Sequence, residues 1–382
     1  MKNKRLIIFI IFLVMLIGNI TIYATDEEIL GAQEESLGIS EFINNANKYT
    51  SNIDGIDIKE IFNNAKTGNI GNSNIINSVL NVLGKELKDT IGTIGIIVVI
   101  IVIHSIFNSI SQNLENKNVS KITYFVQYIL IATLVLTNFS NIISNIKNTI
   151  QDLVGFSNNL IPILITLMLT TGSITTAGVL KPILLLLINF VGNIITNFIL
   201  PLVLIGTALG IVSKISSEIQ VGKLAKFFKS SSIWIIGIIM TFFVTVLSLE
   251  GSLTQTVDGV TAKTTKAVVS TSIPVVGKIL GDATDAVIGC VGILKNAVGT
   301  IGVIVIISIC ISPIIKLTIL TLSYYAASAI CEPIADKEII GLLQSMGDTF
   351  KTLLAIMFCI ALLLIIGFTL VIRISNGTLL YR

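Results

Sequence analysis

Apolar blocks of about 20 residues, the length that crosses roughly 30 Å of hydrocarbon, recur along most of this chain with short polar breaks between them. They fall near 91–110, 122–143, 159–179, 233–249, 287–311, 317–334 and 353–372. A further apolar segment, 181–212, is too long for one ordinary crossing and short for two. Pro182 and Pro201 interrupt it, and Asn189, Asn193, Thr196 and Asn197 sit near its middle. A tight helical hairpin or two short tilted spans fits this composition, because amides and broken backbone at depth are tolerated only where protein or a water-filled cavity covers them. One long kinked helix is the alternative. The pattern predicts an all-α, polytopic helical membrane protein with about 7–9 spans, the broken or hairpin segment included.

The stretch 248–289 is weakly hydrophobic, between long apolar runs, and the rest is organised around it. At about 100° per residue, Val276, Ile279, Leu280, Ala283 and Val287 share one side of a helix, with Lys278, Asp282 and Asp285 opposite. Gly277 and Gly281 are one helical turn apart and would let another backbone approach closely. The first half repeats the pattern more loosely: Val257, Val260, Thr261, Thr264 and Val268 stand opposite Asp258, Lys263 and Lys266, and Pro274 punctuates the two halves. Two amphipathic helices are expected, held against a membrane core with a charged side left for water or a partner. The plainer reading is a pair of interfacial helices that only connect spans. Lys295, in the next apolar block, should face protein or water near Asp282 or Asp285. These charged residues are the candidate interaction or pore-lining set.

Charge then orders the chain across the bilayer. Lys2, Lys4 and Arg5, an apolar run to Ile20 and the small residue Ala24 read as a signal peptide over 1–24. Residues 25–88 read as a small extracytoplasmic segment that packs on the spans or on a neighbour. A first membrane region follows over 89–249. Within it Lys214, Lys223, Lys226 and Lys229, against only Glu218, mark a cytoplasmic basic helix at 214–229 suited to an anionic surface or a docking partner. The stretch 250–286 is then extracytoplasmic or re-entrant, and 287–382 is a second membrane region. In it Pro313 and Lys316 mark an inner turn, 332–338 the far side, and Arg373 the inside.

Composition supports this picture and narrows the chemistry. The chain is 53% hydrophobic and 12% charged, with mean hydropathy +0.91, where soluble domains carry about 25% charged residues. A net charge of +3 without aromatic-interleaved basic clusters argues against nucleic acid. His104 is the single histidine and sits in an apolar run, which leaves a Ser-His-Asp triad or zinc site without raw material. The four cysteines are dispersed, with no C-x-x-C pair. Gly84-Lys85, Gly222-Lys223 and Gly277-Lys278 each lack the upstream glycine and following hydroxyl of a phosphate loop. No catalytic residue, cofactor or metal is expected, and the chain does not read as an enzyme.

The central run resembles the signature region of the stage III sporulation protein AE family of endospore-forming bacteria. The matching residues are Asp258-Gly259-Val260, Ile273-Pro274-Val275-Val276-Gly277, Asp282-Ala283-Thr284-Asp285 and Leu294-Lys295-Asn296-Ala297-Val298-Gly299. The resemblance implies a sporulation membrane protein made in the mother cell and placed in the membrane around the forespore. It implies a secretion-type channel assembly with a cytoplasmic ATPase, other membrane proteins and ring-forming partners in the intermembrane space, supporting forespore development and late forespore gene expression. A permease-like role within that channel is expected. A self-contained secondary transporter and a non-conducting scaffold of the same assembly are the other readings.

Overall fold

The computed structural model describes residues 26–50, 57–67, 73–111, 117–215, 221–272 and 276–380, and among these no strand occurs. Residues 1–24, read as a signal peptide, lie outside them. Three short helices, α1 (Asp26–Ser36), α2 (Ile39–Thr50) and α3 (Ile58–Thr67), precede the long ones. These are α4 (Ser73–Ser111), α5 (Lys117–Thr170), α6 (Ile174–Ile194), α7 (Leu200–Ile215), α8 (Gly222–Ser272), α9 (Val276–Cys331) and α10 (Lys337–Leu380). The all-α membrane character is therefore plain.

Crossing by crossing, the structure differs from the expectation. Among the described residues, five helical stretches are long and apolar enough to cross a membrane: Tyr128–Thr170, Ile174–Lys214, Gly222–Asp258, Val287–Cys331 and Lys337–Asn376. Each runs 37–45 residues, or roughly 55–68 Å at a rise of about 1.5 Å per residue. Apolar blocks expected as separate crossings are joined end to end. The polar residues of 144–158 do not break α5, because Asn145, Lys147, Gln151 and Asp152 are compatible with a helix. Ile142, Ile146, Ile150, Leu153 and Phe156 keep one buried stripe running through them.

The segment 181–212 does not fold back as a hairpin. It continues from α6 through a π turn, Ile195–Ile199, into α7. Pro201 has no N–H to give the Asn197 carbonyl, and just before it the Leu200 N–H bonds Ile195 O, the wider π register. The amides at depth are satisfied by helical neighbours. Asn158 and Asn189 exchange hydrogen bonds of 3.2 and 3.1 Å between α5 and α6, and Asn197 donates to Asn193.

Pro313, expected at an inner turn, lies inside α9. Lys316 sits 3.4 Å from Glu86, so it shares a level with the start of α4's apolar run, not the opposite side. The parity of everything after it shifts. Lys214 covers Gly341, which puts the 332–338 turn at the same end as the basic lysines. Ile374 packs on Gly251, which puts Arg373 at the other end, beside the central stretch.

The antiparallel pair α9 and α10 forms the centre. Tyr324 and Phe350 pack at 5.2 Å, and Ile372 lies so close over Gly299 that no Cβ could be accommodated there without movement. At Gly302 a Cβ would meet Leu160 of α5 at 2.6 Å. These glycines let apolar helices approach without polar help. The N-terminal helices dock on the bundle through Phe42 and Tyr49, whose rings lie 6.1 and 5.5 Å from Phe156. Ile39, Ile43, Ala46, Ile58 and Phe62 are buried beside them, each large apolar side chain contributing about 1.5–3 kcal/mol.

Along α8, Lys226 and the position of Thr265 are separated by roughly 58 Å of helix, more than the 40–45 Å or so of a whole bilayer. Lys226→Cys and Thr265→Cys should label with a membrane-impermeant maleimide from opposite sides. Native Cys290, Cys310 and Cys331 are buried and should stay silent. Labelling of both positions from one side would overturn this arrangement.

Candidate functional site

The best-defined polar site joins the central stretch to the first membrane region. Both carboxylate oxygens of Asp258, on α8, accept backbone N–H groups at the start of α6: Oδ1 from Thr175 at 2.8 Å and Oδ2 from Thr176 at 2.8 Å. The first N–H groups of a helix have no intrahelical partner and carry its positive dipole end. A carboxylate there makes charge-assisted bonds. Asp258 is only 2% exposed, so the clamp is dry. The turn that delivers these amides contains Gly172 at φ +80°, a left-handed position suited to glycine. Asp258 was expected on a charged side left for water or a partner; its partner is the start of α6 in the same chain.

Lys295 forms a second tie. It is 1% exposed and its Nζ lies 2.8 Å from Ser375 Oγ on α10. One position further along each helix, Asn376 Nδ2 donates to Asn296 Oδ1 at 3.0 Å. The expected neighbours Asp282 and Asp285 belong to the same continuous helix, at least ten residues earlier, and so about 15 Å or more along its axis. Lys295 therefore bridges α9 to α10, with Ser375 as its partner. Ionised groups are costly to bury unless hydrogen-bonded, so Ser375 is part of what lets this side chain remain inside.

The basic set separates into two roles. Lys214 lies on α7, while Lys223, Lys226 and Lys229 lie on α8, which runs back along it with Gly206 against Lys229 and Gly210 against Ala225, so no single helix carries all four. Lys223 and Lys226 are exposed. Lys214 lays its stem over Gly341, and Lys229 donates to Ser345 O at 3.1 Å, both contacts tying this end to α10. The Thr207 and Thr349 hydroxyls, 3.2 Å apart, and Tyr128 Oη donating to Ile211 O at 2.9 Å reinforce the same end. Lys263, Lys266, Lys278, Asp282, Asp285, Gly277 and Gly281 lie on the helical backbone of α8 and α9, but their side chains are outside the described residues, as are Pro274 and the His104 side chain.

Sequence reasoning passed over Ser375 and Asn376, and named Asn296 only within the family motif. Polar side chains inside apolar runs were the signal that could have found them. Among the described residues no group of His, Cys, Asp and Glu is placed to hold a metal ion.

Comparison with known proteins adds an independent line. The family profile described as Stage III sporulation protein AE matches residues 56–375, which takes in Asp258 with Thr175 and Thr176, and Lys295 with Ser375. Stage III sporulation protein AE of Bacillus subtilis (strain 168) is 31% identical over 282 residues, covering 73% of this chain and 71% of that protein. No solved structure matches.

Asp258→Ala should uncover the start of α6. Hydrogen exchange at Thr175 and Thr176 should accelerate about 10- to 100-fold, the equivalent of losing hydrogen bonds to a charged group worth about 1.5–3 kcal/mol. Asp258→Asn, which keeps one acceptor oxygen, should fall between. Unchanged exchange in both variants would remove the clamp from the account.

Proposed function

Because the chain belongs to the stage III sporulation protein AE family, we propose that it is the multi-spanning, permease-like component of a secretion-type channel complex in the mother-cell membrane around the forespore. The observation that carries this reading is the bundle itself. Long apolar helices, tied to one another by buried polar bonds, leave an outer face of Ile233, Trp234, Ile238 and Phe242 open to lipid or to neighbouring subunits, with Trp234 73% exposed. The sequence carries no phosphate loop, so movement of a solute would draw on an ATPase partner.

The partners are assigned by charge and by end. Lys223 and Lys226, exposed together with Leu224 and Phe227, form an amphipathic patch for the cytoplasmic ATPase or an adaptor to it. The opposite end, where α8 and α9 carry Lys263, Lys266, Lys278, Asp282 and Asp285, is the side for ring-forming proteins of the intermembrane space. Such an assembly would support forespore development and late forespore gene expression.

Affinity purification of the full chain from sporulating cells in mild detergent should recover an ATPase and ring-forming partners. Lys223→Glu with Lys226→Glu should cut ATPase recovery about tenfold, as expected for reversing charges at an electrostatic contact, and leave the ring-forming partners in place. Recovery of none of these partners would overturn the assembly reading. Solute uptake by the chain alone in liposomes would favour a self-contained transporter.

A further inference from the structure

Where α2, α4, α5 and α9 meet, the bundle encloses a polar cleft of about 620 Å³, within the 300–1,000 Å³ or so typical of small-molecule sites. Its ionisable lining comes from four helices: Lys48 and Tyr49 from α2, Lys85 and Glu86 from α4, Asp152 from α5 and Lys316 from α9. Two of these charges answer each other, since Glu86 Oε2 lies 3.4 Å from Lys316 Nζ. Ser312 Oγ donates to the other Glu86 oxygen at 3.4 Å. Lys48 donates to Asn45 Oδ1 at 3.1 Å. That leaves Lys85 and Asp152, of opposite sign and on facing helices, with no ion-pair partner among the described residues.

Other features of the cleft also call for a polar occupant. Glu86 Oε2 is buried and accepts no hydrogen bond among the described residues, despite its nearby lysine. Pro313 lines the cleft and cannot donate to the carbonyl of Ile309, which lines it too. The Tyr49 phenol is pushed above its ordinary range by burial and then by the Asp152 carboxylate, so it stays a neutral hydroxyl able to donate or accept.

We propose that this cleft binds a small zwitterionic solute, its ammonium toward Asp152 and its carboxylate toward Lys85, with α2 of the N-terminal segment forming one wall. A ligand of one sign would leave Asp152 or Lys85 uncompensated, and an apolar one would leave both. A zwitterion answers both. This names the solute class for the permease reading and rests on it only for why such a solute is met there.

Binding should be measured on the full chain purified in lipid nanodiscs, by titration calorimetry with the dipeptide alanyl-alanine. The comparison ligand is N-acetyl-alanine methylamide, of similar size without charges. Saturable binding of alanyl-alanine, absent for the capped compound, is expected. Lys85→Gln and Asp152→Asn should each weaken it about tenfold or more, the scale of a lost charged hydrogen bond. Both residues are exposed, and an unchanged unfolding midpoint will show that the variants fold. No saturable binding, equal binding of the capped compound, or unaltered affinity in both folded variants would overturn the site. Partner recovery from cells does not depend on this cleft, so the two readings fail separately.

Discussion

A polar group held among apolar helices must find its partner within the protein, because lipid cannot supply one. Most of what orders this molecule follows from that constraint. Asp258 reaches the amides of Thr175 and Thr176, Lys295 reaches Ser375, Asn158 exchanges bonds with Asn189, and Lys229 reaches Ser345. Apolar surfaces alone would let these helices slide or rotate against one another, since one lipid-facing stripe of Ile and Leu is much like the next. A directional bond, short and without a competing water, fixes both register and rotation. The glycines do the complementary work of distance: Gly299 and Gly302 bring Ile372 and Leu160 close enough for the polar ties to form.

The helical membrane character was legible because apolar blocks of the right length are a strong signal. Which apolar blocks run on into one helix was not, and the reason lies at particular residues. Asn145, Lys147, Gln151 and Asp152 looked like a connection since they are polar, but polarity does not end a helix, and the Ile142–Ile146–Ile150 stripe carries it through. Pro201 and Pro313 looked like turns. A proline removes one backbone bond, and a π register or a tolerated gap absorbs the loss when neighbours hold both sides. One such misreading shifts the side of every later segment, which is how 332–338 and Arg373 came to be expected at the wrong ends.

The candidate residues show the same division. Asp258 and Lys295 were found as charges where charge is costly; their partners were not, because a backbone N–H and a serine 80 or more residues away leave no mark in a local pattern. The basic lysines were found by composition, which cannot separate Lys223 and Lys226, facing out, from Lys214 and Lys229, facing in. The N-terminal segment was read as one that packs on the spans or on a neighbour; it packs on the spans, and its Lys48 and Tyr49 complete the wall of a cleft whose other walls lie in α4, α5 and α9.

The Asp258 clamp also bears on how the molecule is made. Asp258 follows Thr175 by 83 positions, so at a synthesis rate of about 5–20 residues per second it leaves the ribosome roughly 4–17 s later. Throughout that interval α6 has been translated while the groups at its head are still bare. Insertion can be completed at that point only once α8 has threaded back alongside, so the first half of the protein waits on the second for its final seating.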